Sequence, residues 1–437
     1  MLKSDKFEKT YNDLTKHIRL NPAFLIWMFS LTALLAVCVV AYISQLQNGL
    51  SVTGLGDYVS WGLYISNFVF FVAASLIGML ISSVLILSGQ DWAKPLARIS
   101  EIIAFSFAAV AGLVIVSDMG MPHRLAYVFI YGRIQSPILW DVTVVTTYAL
   151  ISLLLYYIPL IPDLKILSDR FDGKPAIFKK VYKIISLGYT DTKEQKAKIH
   201  KLTRILAILI IPVALAIHTV TSWLFASTSR SGWDSTIFGP YFVTGAFVAG
   251  TAAVIIAMYF FYHNYKLKDY IKPEHFDKMA KLLVLVSLVY LYFNLNEFLV
   301  PGYKMKKADA VHLETFFTGH HALMFWGVQI FGLILPILLM LFKKVRTPLP
   351  MLLISLAVLI GAWLKRYLIV IPTQEHPFLP VQNVTEKFMH YEPTWTEILI
   401  TAGPFILVLL IASTLMKFLP VIPIAETIEE FEKESNE

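Results

Sequence analysis

The chain has 437 residues, of which 57% are hydrophobic, 14% aromatic and 15% charged, with a formal net charge of +7; its mean hydropathy is +0.65. These values exclude a soluble domain of average usage and predict a polytopic membrane protein. One cysteine, Cys38, excludes an internal disulfide and an iron–sulfur cluster ligated by this chain's cysteines alone, so any cluster is expected on a partner.

A charged leader, residues 1–22, precedes the first apolar run. That run is about twice as long as a signal-peptide core and lacks a small-x-small cleavage pattern, so it reads as a retained helix. A hydrocarbon core about 30 Å thick needs about 20 apolar residues per helix. Ten stretches meet the requirement: 23–44, 61–87, 99–118, 138–161, 202–226, 241–262, 282–299, 321–342, 351–371 and 397–418. They are too long and too uniformly apolar for the alternating strands of a barrel. With the N-terminus inside, 28 of the 37 lysines and arginines fall in inner segments and 7 outside. This bias predicts both termini on the cytoplasmic face of a prokaryotic inner membrane. The basic excess then faces anionic headgroups and gives no reason to expect nucleic acid as a partner.

The longest inner loop, 162–201, sets Ile177, Val181, Ile184 and Ile185 among Lys174, Lys179, Lys180 and Lys183, the spacing of an amphipathic helix lying in membrane lipid headgroups. The outer loop 372–394, rich in proline and aromatics, is read as docking beneath an extracytoplasmic partner, and the acidic stretch 426–437 as a solvated end.

Polar residues inside the spans gather at one depth. Asn67, Asp118, Asp141, His218, Glu297, His320 and Arg366 come from seven segments yet all fall toward the outer end. Only Arg98 and Glu101, three residues apart and read as a structural pair, clearly mark the inner end. Charge in lipid is costly and commonly functional, so a shared depth predicts a polar site. Plain structural roles compete with that reading. His218 could bond a neighbouring helix, Asp118 and Asp141 could cap spans or pair with Arg124 or Arg133, Asn67 could join helices, and Glu297 could pair with Arg366.

Several strings in order along the chain carry a family resemblance: WGLYISNFVFF at 61–71, Arg98 with Glu101, SDMGMPHR at 117–124, YGRIQSPILWDV at 131–142, IPLIPDLKILSDR at 158–170, IHTVTSWLF at 217–225, GWDSTIFGPYFVTGA at 232–246 and KRYLIVIPT at 365–373. The sequence resembles the NrfD/PsrC family, the membrane subunits of polysulfide reductase, cytochrome-linked nitrite reduction, alternative complex III and sulfite-reduction-associated complexes. Its length matches the ten-helix branch. The resemblance implies an all-α integral membrane fold of two four-helix bundles, helices 2–5 and 6–9, flanked by helices 1 and 10. In chain terms these are the cytoplasmic segment 1–22, a first flanking helix with its outer loop (23–60), a first bundle (61–231), a second bundle (232–371), and a last loop, helix and tail (372–437).

The resemblance also implies a quinone pocket near the outer face of the first bundle, with menaquinone expected and Asn67, Asp118, Asp141 and His218 falling on the family's polar positions. No haem or cluster is expected on this chain. The implied partners are an extracytoplasmic iron–sulfur subunit or multihaem cytochrome, and a second NrfD-like subunit. A proton route through Glu101, Glu297, His320 and Arg366 is the weaker expectation. Two departures bear on the quinone pocket. Leu76-Ile77-Gly78-Met79 stands where many members have His-Ala-Gly-Thr, and Met121 stands where an arginine is common; Lys365 also replaces a common glutamate. A structural or proton-conducting copy therefore stays open beside the quinone-reactive one. So do a b-type cytochrome, with His218, His320 and His321 as candidate axial ligands, and a secondary transporter, suggested by helix number and intramembrane charge.

Overall fold

The computed structural model describes residues 8, 11–18, 21–88, 94–170, 177–264, 268, 270–376 and 389–427. Lys174, residues 377–388 of the last outer loop and the stretch 428–437 lie outside them. Ten helices are long and apolar enough to cross a membrane: α1 (Pro22–Asn48), α2 (Leu63–Ser88), α3 (Lys94–Ser117), α4 (Pro137–Tyr157), α5 (Lys193–Ala226), α6 (Phe238–Asn264), α7 (Pro273–Lys304), α8 (Ala322–Met340), α9 (Pro348–Val370) and α10 (Trp395–Phe418). No strand occurs among the described residues. The all-α, ten-span expectation holds.

Helix starts follow local chemistry. Proline opens α1, α4, α7 and α9, where its missing N–H costs nothing. The Asn21 side chain accepts from Phe24 N at 2.8 Å, and the Thr192 side chain accepts from Gln195 N at 3.3 Å. These caps lie in polar sequence, so α5 and α7 begin well before their apolar runs do. The helix α4 likewise continues through a tight turn into Ile161–Arg170. A helix at Lys307–Phe317, between α7 and α8, carries no spanning signal and was not anticipated. The expected amphipathic helix forms at Ile177–Ile185, with Ile177, Val181 and Ile184 exposed. Its Tyr182 hydroxyl donates to the Phe418 carbonyl at 2.7 Å.

Packing runs α2 on α3, α3 on α4, α4 on α5 and α5 on α2, and equally α6 on α7, α7 on α8, α8 on α9 and α9 on α6. The two circuits meet where α2 and α5 lie against α6, and α2 against α9, while α10 lies on α1 and α3. The enclosed spans are α2 and α6, whose apolar windows are 94% and 83% buried, against 11% for α1. Close approach of α2 to α3, and of α6 to α2, demands glycine. A Cβ on Gly78 would meet the Ser100 carbonyl oxygen at 2.2 Å, and one on Gly250 would meet Ile77 Cγ2 at 2.1 Å. Thus Leu76, Ile77 and Met79, which stand where a polar stretch is common, are buried packing.

Each end of the bundle is fastened by polar contacts. At the Arg98 end, Arg98 forms a buried ion pair with Asp163 and donates to the Pro159 carbonyl at 3.2 Å, while Asp163 accepts from Ala425 N at 2.8 Å. Glu101 instead accepts from the Ser82 hydroxyl. The pairing expected between Arg98 and Glu101 is therefore not made. The guanidinium reaches across to a neighbouring helix whose carboxylate has a second donor, a choice that spacing along one helix cannot reveal.

At the opposite, Glu397 end, the Glu397 carboxylate accepts from Gly54 N at 2.7 Å, Tyr391 hydroxyl at 2.7 Å and Thr394 N at 2.9 Å. Tyr391 hydroxyl accepts in turn from Leu63 N at 3.0 Å, and Gln374 brackets Trp61, accepting from its N at 3.0 Å and donating to its O at 2.8 Å. One carboxylate thus ties the α1–α2 loop to the start of α10. Glu397→Ala removes three charge-assisted hydrogen bonds worth roughly 1.5–3 kcal/mol each. The variant is expected to unfold several degrees below wild type in detergent, with Glu397→Gln, which keeps one acceptor oxygen, in between; equal midpoints for all three would contradict this role.

Candidate functional site

The residues singled out from the sequence share the Glu397 end but face different neighbours. Asp141, near the start of α4, is buried and accepts from the Thr221 hydroxyl of α5 at 2.5 Å. His218 lies one turn before Thr221, so both occupy one face of α5. It is 2% exposed, and its Nε2 has no hydrogen-bond partner. Asn67 turns the other way, accepting from Trp363 Nε1 of α9 at 3.3 Å and donating to the Thr401 carbonyl of α10 at 3.3 Å. It therefore joins helices, as its structural reading foresaw.

Asp118, just past the end of α3, keeps one buried oxygen without a partner. Burial, reinforced by the Glu397 charge, raises its carboxyl to about 7. Beside it Gln45 of α1 donates to the Ser117 carbonyl at 2.7 Å and accepts from the Tyr64 hydroxyl at 2.6 Å. Tyr64 lies within electrostatic reach of both Asp118 and Glu397. Gln45, Tyr64 and Glu397 were missed by sequence reasoning. Gln45 lies just past the apolar run 23–44, in an amide-rich helix end with Gln47 and Asn48, and Tyr64 was covered only as part of the string 61–71.

Aromatic rings line the junction between the two helix circuits at this end. The Trp61 ring centroid is 5.6 Å from Phe225 and 5.8 Å from Trp233, and Phe225 is 5.8 Å from Phe242. The Arg366 guanidinium lies over Phe242 at 5.0 Å. Arg366 is 2% exposed, and its Nε and Nη1 have no partner. It lies within electrostatic reach of His218. Two residues assigned to separate clusters by chain position thus interact across the junction.

No ion pair joins Glu297 to Arg366 among the described residues. The cation in electrostatic reach of Glu297 is Lys365, whose Nζ sits over the Phe298 ring at 4.6 Å, and one buried Glu297 oxygen has no hydrogen-bond partner. Next to Arg366 runs a chain of neutral polar groups. Tyr290 hydroxyl donates to Tyr241 hydroxyl at 3.3 Å, Tyr241 donates to Asn294 at 2.9 Å, and Asn294 donates to Gln329 at 2.7 Å. Gln329 belongs to a π-helical segment, Val328–Ile334, a local widening often found at functional positions.

His320 is exposed, with its ring centroid 5.6 Å from His390. The buried member of the pair is His321, whose Nε2 shares a 2.7 Å hydrogen bond with Glu375. Nearby, burial and the neighbouring His376 push His312 down to about 3, and burial also lowers His376, which bonds Thr315 at 2.7 Å. Among the described residues, no group of three or more His, Cys, Asp or Glu side chains is disposed to hold a metal.

The family model described as polysulphide reductase, NrfD matches residues 51–377. A putative dimethyl sulfoxide reductase membrane subunit of Halobacterium salinarum is 29% identical over 231 residues, 53% of this chain and 50% of its own length. A selenate reductase subunit of Mesobacillus selenatarsenatis is 26% identical over 89% of this chain and 93% of its own. The Hdr-like menaquinol oxidoreductase integral membrane subunit of Archaeoglobus fulgidus is 23% identical over 92% and 95%. With ten apolar helices and a match over three quarters of its length, this chain belongs to the NrfD, polysulphide reductase family of multi-pass integral membrane proteins.

Proposed function

We propose that this chain is the membrane subunit of a respiratory oxidoreductase that exchanges electrons between a membrane quinone, menaquinone in the first instance, and a partner subunit bearing iron–sulfur or haem centres. The carrying observation is His218 Nε2, buried and unpartnered on the same helical face as the Asp141–Thr221 contact. The residues fit the group. An orphaned imidazole nitrogen and the orphaned Asp118 oxygen offer polar contacts, and the Trp61, Phe225 and Trp233 rings offer apolar planes at the same end. Similarity to a menaquinol oxidoreductase subunit supports the quinone assignment. In this reading the Glu397 end faces outward, as the lysine and arginine bias requires, and the partner sits above it on the cytoplasmic membrane's outer side.

A quinone couple carries two protons with two electrons, so its site needs groups able to give and take protons. His218 holds or releases a proton at Nε2, and Asp141, fixed through Thr221, orients that wall of the site. Asp118 supplies a carboxyl that titrates near neutrality. The buried rings exclude water around both. His218→Ala is expected to lower quinone-linked turnover of the purified complex by about 10²-fold or more without loss of assembly. Wild-type turnover would refute the placement.

Asp118 sets a pH dependence. Its carboxyl is protonated below about 7 and ionised above. Quinol oxidation, which needs a base, should rise as pH passes that value, and quinone reduction, which needs an acid, should fall. In Asp118→Asn the inflection should vanish; an unchanged profile assigns it to another group.

Glu101, buried at the Arg98 end beside Ser82, and Glu297, with one orphaned oxygen, are the carboxyls we assign to proton movement, with the exposed His320 toward the Glu397 end and Arg366 acting on the route only as a fixed positive charge. Glu101→Gln and Glu297→Gln should abolish proton translocation by the reconstituted complex while sparing quinone reactivity. Undiminished translocation in both removes the route.

A further inference from the structure

We propose that the cavity enclosed by α6, α7, α8 and α9 is a binding site for one monatomic anion of chloride size, held by Arg366. About 20 Å³ of space lies there, walled by Arg366, Lys365, Gln329, Asn294, Tyr290 and Gly245. That is room for an occupant of water size.

Charge decides what the occupant is. Arg366 carries a guanidinium cation, is 2% exposed, and has Nε and Nη1 unpartnered. The Phe242 ring covers one face of the guanidinium but supplies no counter-charge. Lys365, 5% exposed, sets a second basic group beside it, with its Nζ over the rings of Phe298, Phe325 and Tyr241. Glu297 is the carboxyl in electrostatic reach of Lys365, and among the described residues no carboxylate forms an ion pair with Arg366. The guanidinium charge is buried among apolar helices, where an unbalanced ion is strongly disfavoured.

The neutral wall groups are already committed to one another. Asn294 and Gln329 exchange amide contacts at 2.7 and 3.4 Å, and Tyr290 donates to Tyr241. The guanidinium is therefore the donor left in need of an acceptor, and a halide accepts without bringing hydrogens that would need partners of their own. Backbone geometry preserves the arrangement. A Cβ on Gly245 would meet Arg366 Nη2 at 2.8 Å and Tyr290 Cε2 at 2.9 Å, so only glycine leaves the guanidinium in place. The site lies in α6–α9 and is independent of the quinone reading.

The test is bromide in place of chloride on the purified full-length protein in its complex. Crystals soaked in sodium bromide should show an anomalous peak within hydrogen-bond distance of Arg366, absent in Arg366→Gln and weakened in Arg366→Lys. In solution, replacing gluconate by chloride at equal ionic strength should raise the melting midpoint of wild type by several degrees and leave Arg366→Gln unmoved. No bromide peak in wild type, or an equal chloride shift in Arg366→Gln, overturns the assignment. If the variants fail to assemble, the wild-type soak decides alone.

Discussion

A charge or hydrogen-bonding group enclosed by apolar helices must find its partner inside the protein, because neither lipid nor a neighbouring alkyl side chain can supply one. Most buried polar groups here obey this closely. Arg98 and Asp163 neutralise each other and direct their remaining capacity to backbone groups. Glu397 collects three donors from three places in the chain, and Gln374 brackets both polar groups of Trp61. These contacts cost little because each acceptor meets a donor that would otherwise be orphaned at a helix end or in a loop.

Against that background the exceptions carry information. Several hydroxyls, Arg230 and His312 also keep a buried atom without a partner, but Asp118, His218, Glu297 and Arg366 are the ones that the sequence places at a common depth. Asn67 and Asp141, from the same set, are satisfied, by Trp363 and Thr401 in one case and Thr221 in the other. An unsatisfied group in a well-packed interior is costly, which is why we propose a ligand or a transferable proton at these four positions. The two kinds of site separate along the same logic. Imidazole and carboxyl groups near the first helices suit proton exchange, whereas a guanidinium, which does not release its proton, suits a fixed counter-ion.

The enclosed helices α2 and α6 hold these groups in register. Gly250 leaves no room for a side chain where α6 meets Ile77 of α2, Gly78 does the same where α2 meets α3, and Leu76, Ile77 and Met79 are buried around these contacts. What looked in the sequence like the loss of a polar stretch is, in three dimensions, a dry contact between the two helix circuits. The junction continues toward the Glu397 end as the Trp61, Phe225, Trp233 and Phe242 rings, and it ends on Arg366. Through that route the second circuit reaches His218 in the first.

The sequence by itself determined the class, the ten spans, and the common depth of the ionisable residues, because a bilayer imposes a fixed length and a steep penalty on charge, and both are written residue by residue. It also showed the family, through strings long enough to be specific. It could not show which helix a side chain faces. Arg98 pairs with Asp163 rather than with Glu101 one turn away, Glu297 has Lys365 rather than Arg366 in reach, and the buried histidine bound to Glu375 is His321 rather than His320. Each of those outcomes depends on the rotation of one helix against another. Rotation is set by packing at points such as Gly78 and Gly250, which only the tertiary structure brings into contact.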